Sequence, residues 1–285
     1  MNAKFEIPVL KKILKAERIA KVIARAGLCS RRDAEKWIAD GRVKVDGETL
    51  STPALTVTDL NTVEVDNQIL PAVGPVRLWR YHKPQGLLTS HLDPQGRPTV
   101  FDRVPKSLGR VISIGRLDLN SEGLLLLTND GSLARQLELP KMGWTRRYRV
   151  RVHGIVDEKK LKSIENGVTV SGITYGSIRA GLDNQSRANA WLTVSLNEGR
   201  NREIRKVMEF LGLEVNRLIR VAFGPFQLGS LLRGQIDEIP GKVLREQLSE
   251  NSSVASLQKK KKSGWALKSP KPHNKKFMLK AKKKL

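Results

Sequence analysis

The chain has 285 residues, with 52 Lys and Arg against 28 Asp and Glu, giving a net charge of +24 that makes a polyanion the expected partner. A hydrophobic share of 39% suffices for a core, yet no apolar run approaches the roughly 18–20 residues that cross a bilayer. One cysteine, Cys29, permits no internal disulfide, and four scattered histidines offer no metal cluster, so no cofactor or metal is expected.

Residues 1–15 are an N-terminal extension without the pattern of a signal peptide, and the protein is expected to be soluble, cytoplasmic and monomeric. Residues 16–70 read as a small module. Ile19, Val22, Ile23 and Ala26 mark one face of a first helix that Gly27 ends. Ser30 caps a second helix, with Asp33 near the cap and Ala34, Trp37 and Ile38 on its apolar side. "RVKVDGETL" predicts a strand with an Asp-Gly hairpin turn, and "TVEVDNQIL" another alternating strand. The Pro and Gly of residues 71–76 mark a linker.

Residues 77–250 form a larger domain. Strands are predicted in "VRLWRYHKP", "RVISIG", "GLLLLTND", "RRYRVRVHG", "GITYGSIRAGL", "ANAWLTVSL" and "VNRLIRVAFGPF". Helices are predicted in "SLARQLELP", "DEKKLKSIENG", "NREIRKVMEFLG" and "KVLREQLSE". Strands outnumber helices without strict alternation, so the fold class is α+β with a mostly antiparallel sheet. Residues 251–285 hold twelve lysines and no acids, half of the net charge, and read as a disordered basic tail.

Three segments of the larger domain concentrate chemistry. "GRLDLNSEGLLLLTNDG" puts Arg116 and Asp118 on a turn between two apolar strands, where a carboxylate is either a positioned reactive group or a turn-former. In "RRYRVRVHG", alternation sends Tyr148, Val150 and Val152 to one face and Arg147, Arg149 and Arg151 to the other. Tyr148 is then either a core ring or a platform for an unpaired base. In "EGRNREIRKVMEFLG", Ile204, Val207, Met208 and Leu211 share a helix face, while Arg202, Arg205 and Lys206 form a neighbouring basic stripe.

The two helices and hairpin, through "SRRDAEKW" and "GRVKVDG", resemble the S4 RNA-binding module, which implies phosphate contacts from Arg18, Lys21, Arg31 and Arg32. The three segments, with "HKPQG", "DPQGRPTVFDRVP" and "RVAFGPFQLGSLLRGQIDEIP", resemble the RsuA/RluB-type ribosomal RNA pseudouridine synthases over residues 17–240. "GRPTVFDRVP" and "NREIR" point to the branch acting on large-subunit rRNA. The resemblance implies that Asp118 is the essential aspartate, that Tyr148 stacks on the target base and is a candidate base for the C5 proton, and that Arg205 pairs with the aspartate. It also implies that Ile204 packs beside the site, that Arg116 and Arg202 contact the RNA, and that Lys83 and Pro84 are structural. The competing expectations are a non-catalytic S4-type assembly factor and, without a visible recognition helix, a DNA-binding protein.

Overall fold

The computed structural model describes residues 16–139 and 143–248. The N-terminal extension and the lysine-rich tail lie outside the described residues.

The first unit opens with β1 (Glu17–Arg18), then α1 (Ile19–Arg25) and α2 (Arg31–Ala39), and continues through β2 (Val43–Val45), β3 (Glu48–Thr49), β4 (Thr56–Val57), β5 (Val63–Val65) and β6 (Gln68–Ile69). The Ser30 hydroxyl accepts from the Asp33 N–H and the Asp33 carboxylate accepts from the Ser30 N–H, a reciprocal capping box that starts α2. Asp46-Gly47 and Asp66-Asn67 all have positive φ, so both hairpins turn through left-handed residue pairs. Ile19, Ile23, Ala34, Ile38, Val43, Val45, Val63 and Val65 close a separate small core that also holds Cys29, whose thiol burial pushes up to about 11. The pairing of β1 with β4 was not foreseen: two residues per strand are too few to show a period.

The second unit runs β7 (Leu78–Lys83), β8 (Ile112–Ile114), β9 (Ser121–Thr128), α3 (Gly131–Glu138), β10 (Arg146–His153), α4 (Glu158–Ser163), β11 (Val168–Val170), β12 (Ile173–Tyr175), β13 (Ile178–Ser186), β14 (Asn189–Leu196), α5 (Glu203–Phe210), β15 (Glu214–Phe223), β16 (Phe226–Gln227), β17 (Ile236–Ile239) and a last helix, α6 (241–248). A nine-stranded sheet follows the order β13-β14-β10-β15-β9-β7-β17, with β16 beside β15 and β8 beside β9. Every pairing in it is antiparallel except β9 with β15. "GITYGSIRAGL" is not one strand but two. The Gly176 N–H leaves the ladder for the Glu198 carboxylate at 2.6 Å, so β12 pairs with β11 in its own hairpin and β13 enters the main sheet.

Two apolar clusters flank the sheet. Leu125 and Leu127 of β9, Tyr148, Val150 and Val152 of β10, and Ile204, Val207 and Met208 of α5 belong to the first. Leu124 and Leu126, the α3 residues Leu133, Ala134 and Leu137, and Phe223 belong to the second. The unbroken "LLLL" of β9 follows from burial on both faces. No residue of β10, β13 or β14 joins the second cluster, so beyond β15 that side of the sheet is uncovered among the described residues.

Candidate active site

Asp118 sits on the link between β8 and β9, and the chain around it is pinned carbonyl by carbonyl. Thr89 Oγ1 donates to Leu117 O at 2.9 Å; Lys83 Nζ donates to Asp118 O at 3.1 Å and to Ser121 O at 2.9 Å. The Gly86 N–H donates to Leu119 O at 2.9 Å and Arg205 Nη2 to Asn120 O at 2.9 Å. Five consecutive carbonyls, from Leu117 to Ser121, therefore each hold a donor, and the turn is fixed without using the Asp118 carboxylate. That makes a short polar turn a rigid mount for one carboxylate.

Lys83 is the centre of this mount. It is fully buried beneath the turn, and burial brings its ammonium down to about 8 despite the opposing charges of Asp118 and Glu122. The structural role expected of Lys83 thus has a definite form: it binds the backbone of the Asp118 turn.

Around Asp118 opens a cleft of about 780 Å³, lined among others by Arg116, Tyr148, Arg200, Arg202, Glu203, Ile204 and Arg220. Of the residues expected to act together, Asp118, Arg116, Tyr148, Arg202 and Ile204 meet here. Tyr148 is 8% exposed and is held between Val194 of β14 and Arg220 of β15. Arg202 reaches the rim because it occupies a left-handed backbone conformation, φ +51°, at the start of α5. Ile204 points inward from the same turn and is buried.

Arg205 differs from expectation. Its guanidinium donates to the carbonyls of Asn120 and Val215 rather than to the Asp118 carboxylate, and no salt bridge joins Asp118 to a cation among the described residues. The reason is positional: Arg205 lies in the first turn of α5, where the carbonyls of Asn120 and Val215 are both within hydrogen-bond reach and take up its guanidinium. It is half-buried, and burial together with the neighbouring Arg202 lowers its proton affinity while Asp118 raises it.

Three polar groups of the cleft were missed. Arg146 shares the parity of Tyr148 on β10, so alternation already placed it there; it donates to Asn197 O at 2.8 Å and lies over the Phe223 ring at 4.8 Å. Arg220 is almost wholly buried, donates from Nε to Leu124 O at 2.7 Å, and leaves Nη2 without a protein partner. Glu203 is buried too. Its Oε2 accepts from the Arg200 N–H at 2.9 Å and its Oε1 has no partner while ionised. Burial, with the adjacent Glu198 carboxylate, pushes Glu203 up to about 7. Glu198 lies below the ordinary carboxylate range: burial opposes this, but the Gly176 N–H, Arg200 and the proton on Glu203 outweigh it. Glu203 is therefore the carboxyl of the pair that takes the proton first as pH falls.

The S4-like residues lie elsewhere. Arg18, Arg31 and Arg32 are exposed, whereas Lys21 and Arg25 are both bound to Glu17, Lys21 at 2.6 Å. Lys21 and Arg31 line a second cleft of about 570 Å³, with Arg110 and Arg135 on its opposite wall. Glu138 borders both clefts and accepts from the Gly115 N–H at 2.8 Å.

Comparison with known proteins agrees with this geometry. Residues 77–210 match the family described as RNA pseudouridylate synthase, and residues 17–61 match the S4 domain. An uncharacterized RNA pseudouridine synthase of Rickettsia felis is 50% identical over 230 residues, which are 81% of this chain and all of that protein. This chain belongs to the RNA pseudouridylate synthase family. The ribosomal large subunit pseudouridine synthase B of Salmonella typhi is 42% identical over 75% of each chain, and that of Yersinia pestis 41% identical over 74% of this chain and 69% of the other. A crystal structure of a pseudouridylate synthase, 26% identical, superposes with a TM-score of 0.56 over 80% of this chain and 98% of that one. Membership gives the chain the family's reaction, isomerisation of uridine to pseudouridine in RNA. It also leaves the assembly-factor and DNA-binding readings without support.

Proposed function

We propose that the substrate is ribosomal RNA of the large subunit, modified in the cytoplasm by a monomer, with Asp118 as the reacting carboxylate. The observation that carries the reading is the Asp118 turn: five carbonyls fixed by Lys83, Arg205, Thr89 and Gly86 leave one carboxylate free in a cleft large enough for a nucleotide. The relatives named for the large subunit support the choice of rRNA.

In the reaction the N1–C1′ bond of uridine breaks, uracil turns in place, a C5–C1′ bond forms, the C5 hydrogen leaves as a proton and N1 takes up a proton. Substrate and product have the same atoms, so the balance needs no redox group. The target must first leave its stack, at a cost of a few kcal/mol. Tyr148 offers the extruded base a ring to stack on, while Arg116 and Arg202 at the rim offset phosphate charge. Arg205 acts on the aspartate through the backbone of its turn, and Ile204 closes the apolar side of the cleft. Tyr148, whose ring lines the cleft, is the candidate acceptor of the C5 proton.

Large- and small-subunit rRNA transcripts carrying 5-³H-uridine test the substrate directly. Tritium release from the large-subunit transcript alone is the expected result; release only from the small-subunit transcript would overturn the assignment.

A further inference from the structure

The strand that carries Tyr148 into the cleft also carries Arg147, Arg149 and Arg151, and strict alternation along β10 sends all three to the opposite side of the sheet, where they are exposed. Arg179 of β13 is exposed on that side as well, across from Ser195. This is the part of the sheet that no apolar cluster covers among the described residues. Arg147 donates only to the Gln227 side chain at 2.8 Å, and Arg149 lies 4.7 Å over the ring of Trp191. None of the four arginines forms a salt bridge among the described residues.

Nor do the acids of this face neutralise them. Glu122 is buried beneath Arg217 at 2.7 Å and Arg233 at 3.2 Å, Asp183 accepts from Thr193 Oγ1 at 2.9 Å, and Glu214 stands at the far end, across from His153. Like charges directly opposite on neighbouring strands destabilise a sheet, and Arg151 stands across from Arg217. Among the described residues no ion pair of the four arginines offsets that repulsion; their hydrogen-bond and ring partners are Gln227 and Trp191.

We propose that this open face is a second RNA-binding surface, which takes the phosphate backbone of a helical segment of the same RNA whose uridine enters the cleft on the other side. The proposal rests on the RNA reading of the cleft. Arginines two residues apart on a strand stand roughly 7 Å apart, close to the separation of successive phosphates on one RNA strand. A guanidinium offers phosphate a planar fork that an ammonium does not, and Trp191 holds one such fork in place by stacking. Ser195 lies between Arg147 and Arg179, and Thr193 stands across from Arg149, short neutral side chains suited to phosphate and ribose hydroxyl contacts. The chain's own termini are poor occupants, because residues 1–15 and 251–285 are themselves net basic. RNA gripped on both faces must extend well beyond the stem that holds the target, so the surface selects structured substrates.

The test compares the wild type with the variant Arg149→Gln/Arg151→Gln/Arg179→Gln on two RNAs: the shortest rRNA fragment the wild type still modifies, and the full rRNA transcript. A second variant, Lys159→Gln/Lys160→Gln/Lys162→Gln on α4, removes the same charge elsewhere. The expected result is a KM on the full transcript raised about tenfold in the arginine variant alone, with kcat unchanged and no change on the short fragment. The slope of log affinity against log salt concentration should also become shallower by about one for each phosphate that loses its arginine. Equal KM for wild type and arginine variant on the full transcript would overturn the proposal. So would an equal rise in the α4 variant, which would make the effect one of net charge. A wild type inactive on every RNA would instead contradict the function proposed above.

Discussion

At the scale of single residues, the site separates the carboxylate proposed to react from the groups that hold it. Among the described residues the Asp118 carboxylate accepts no hydrogen bond, while Lys83 and Arg205, two cations that could have paired with it, direct their hydrogen bonds to backbone oxygens. Glu203 is a holding group too. In its protonated form it can donate to Glu198 while accepting from the Arg200 N–H, holding the loop that presents Arg200 and Arg202. Its raised pKa means the folded state binds a proton that the unfolded chain releases near the ordinary value of 4.5, so its contribution is full below about 4.5 and lost as pH rises through about 7. Glu203→Gln keeps the amide-equivalent of the protonated form. Denaturant melts should therefore show the wild type losing on the order of 2 kcal/mol relative to Glu203→Gln between pH 4.5 and pH 8. Parallel stability curves would refute the proton on Glu203. These roles were only partly legible. Asp118, Tyr148 and Ile204 stood out through their motifs, and Arg146 was recoverable from strand parity. Glu203 and Arg220 were not, because nothing local in "GRNREIR" or "RLIRVAF" tells a buried charge from a solvated one.

At the scale of elements, two pairings bring the site together: β10 beside β15, which aligns Tyr148 with Arg220, and the parallel contact of β9 with β15, which carries the Asp118 turn to them. The second depends on Gly123. With φ at +102°, it lets β9 pass Arg220 so closely that a Cβ would stand 2.2 Å from Arg220 O. Gly123→Ala should cost about 3 kcal/mol or more, since backbone cannot yield as a side chain tip can. In a calorimetric scan that is a fall in Tm of roughly 6–12 °C, accompanied by loss of activity at temperatures where the chain stays folded. An unchanged Tm would mean that the two strands are not in this register. The long strands, the capping box at Ser30 and the hairpin turns were readable because period, cap and turn chemistry are local. β1, β4 and β17 were not, since pairing with a distant partner creates them. The break at Gly176 was hidden because the acid that captures its N–H lies 22 residues away.

At the scale of the whole molecule, a basic chain is organised around one sheet whose two faces do different work: one holds Tyr148 over the Asp118 cleft, the other carries the arginine rows. The S4-like unit adds a third basic region, with Arg31 and Lys21 facing Arg110 and Arg135 across the second cleft. The α+β class and the division into a small module and a larger domain followed from composition and strand count; which side of the sheet faces the RNA depended on strand order, which no local pattern encodes. The central claim remains that Asp118 reacts and the rest of the chain positions. The measurement that tests it most directly is tritium release from 5-³H-uridine rRNA by the wild type and by Asp118→Asn, with RNA affinity measured on the same preparations. The account predicts release falling below detection in Asp118→Asn with Kd within about twofold of the wild type, because the substitution spares the Asp118 carbonyl that Lys83 holds and changes only the carboxylate. Release near the wild-type rate, or affinity lost along with activity, would contradict it.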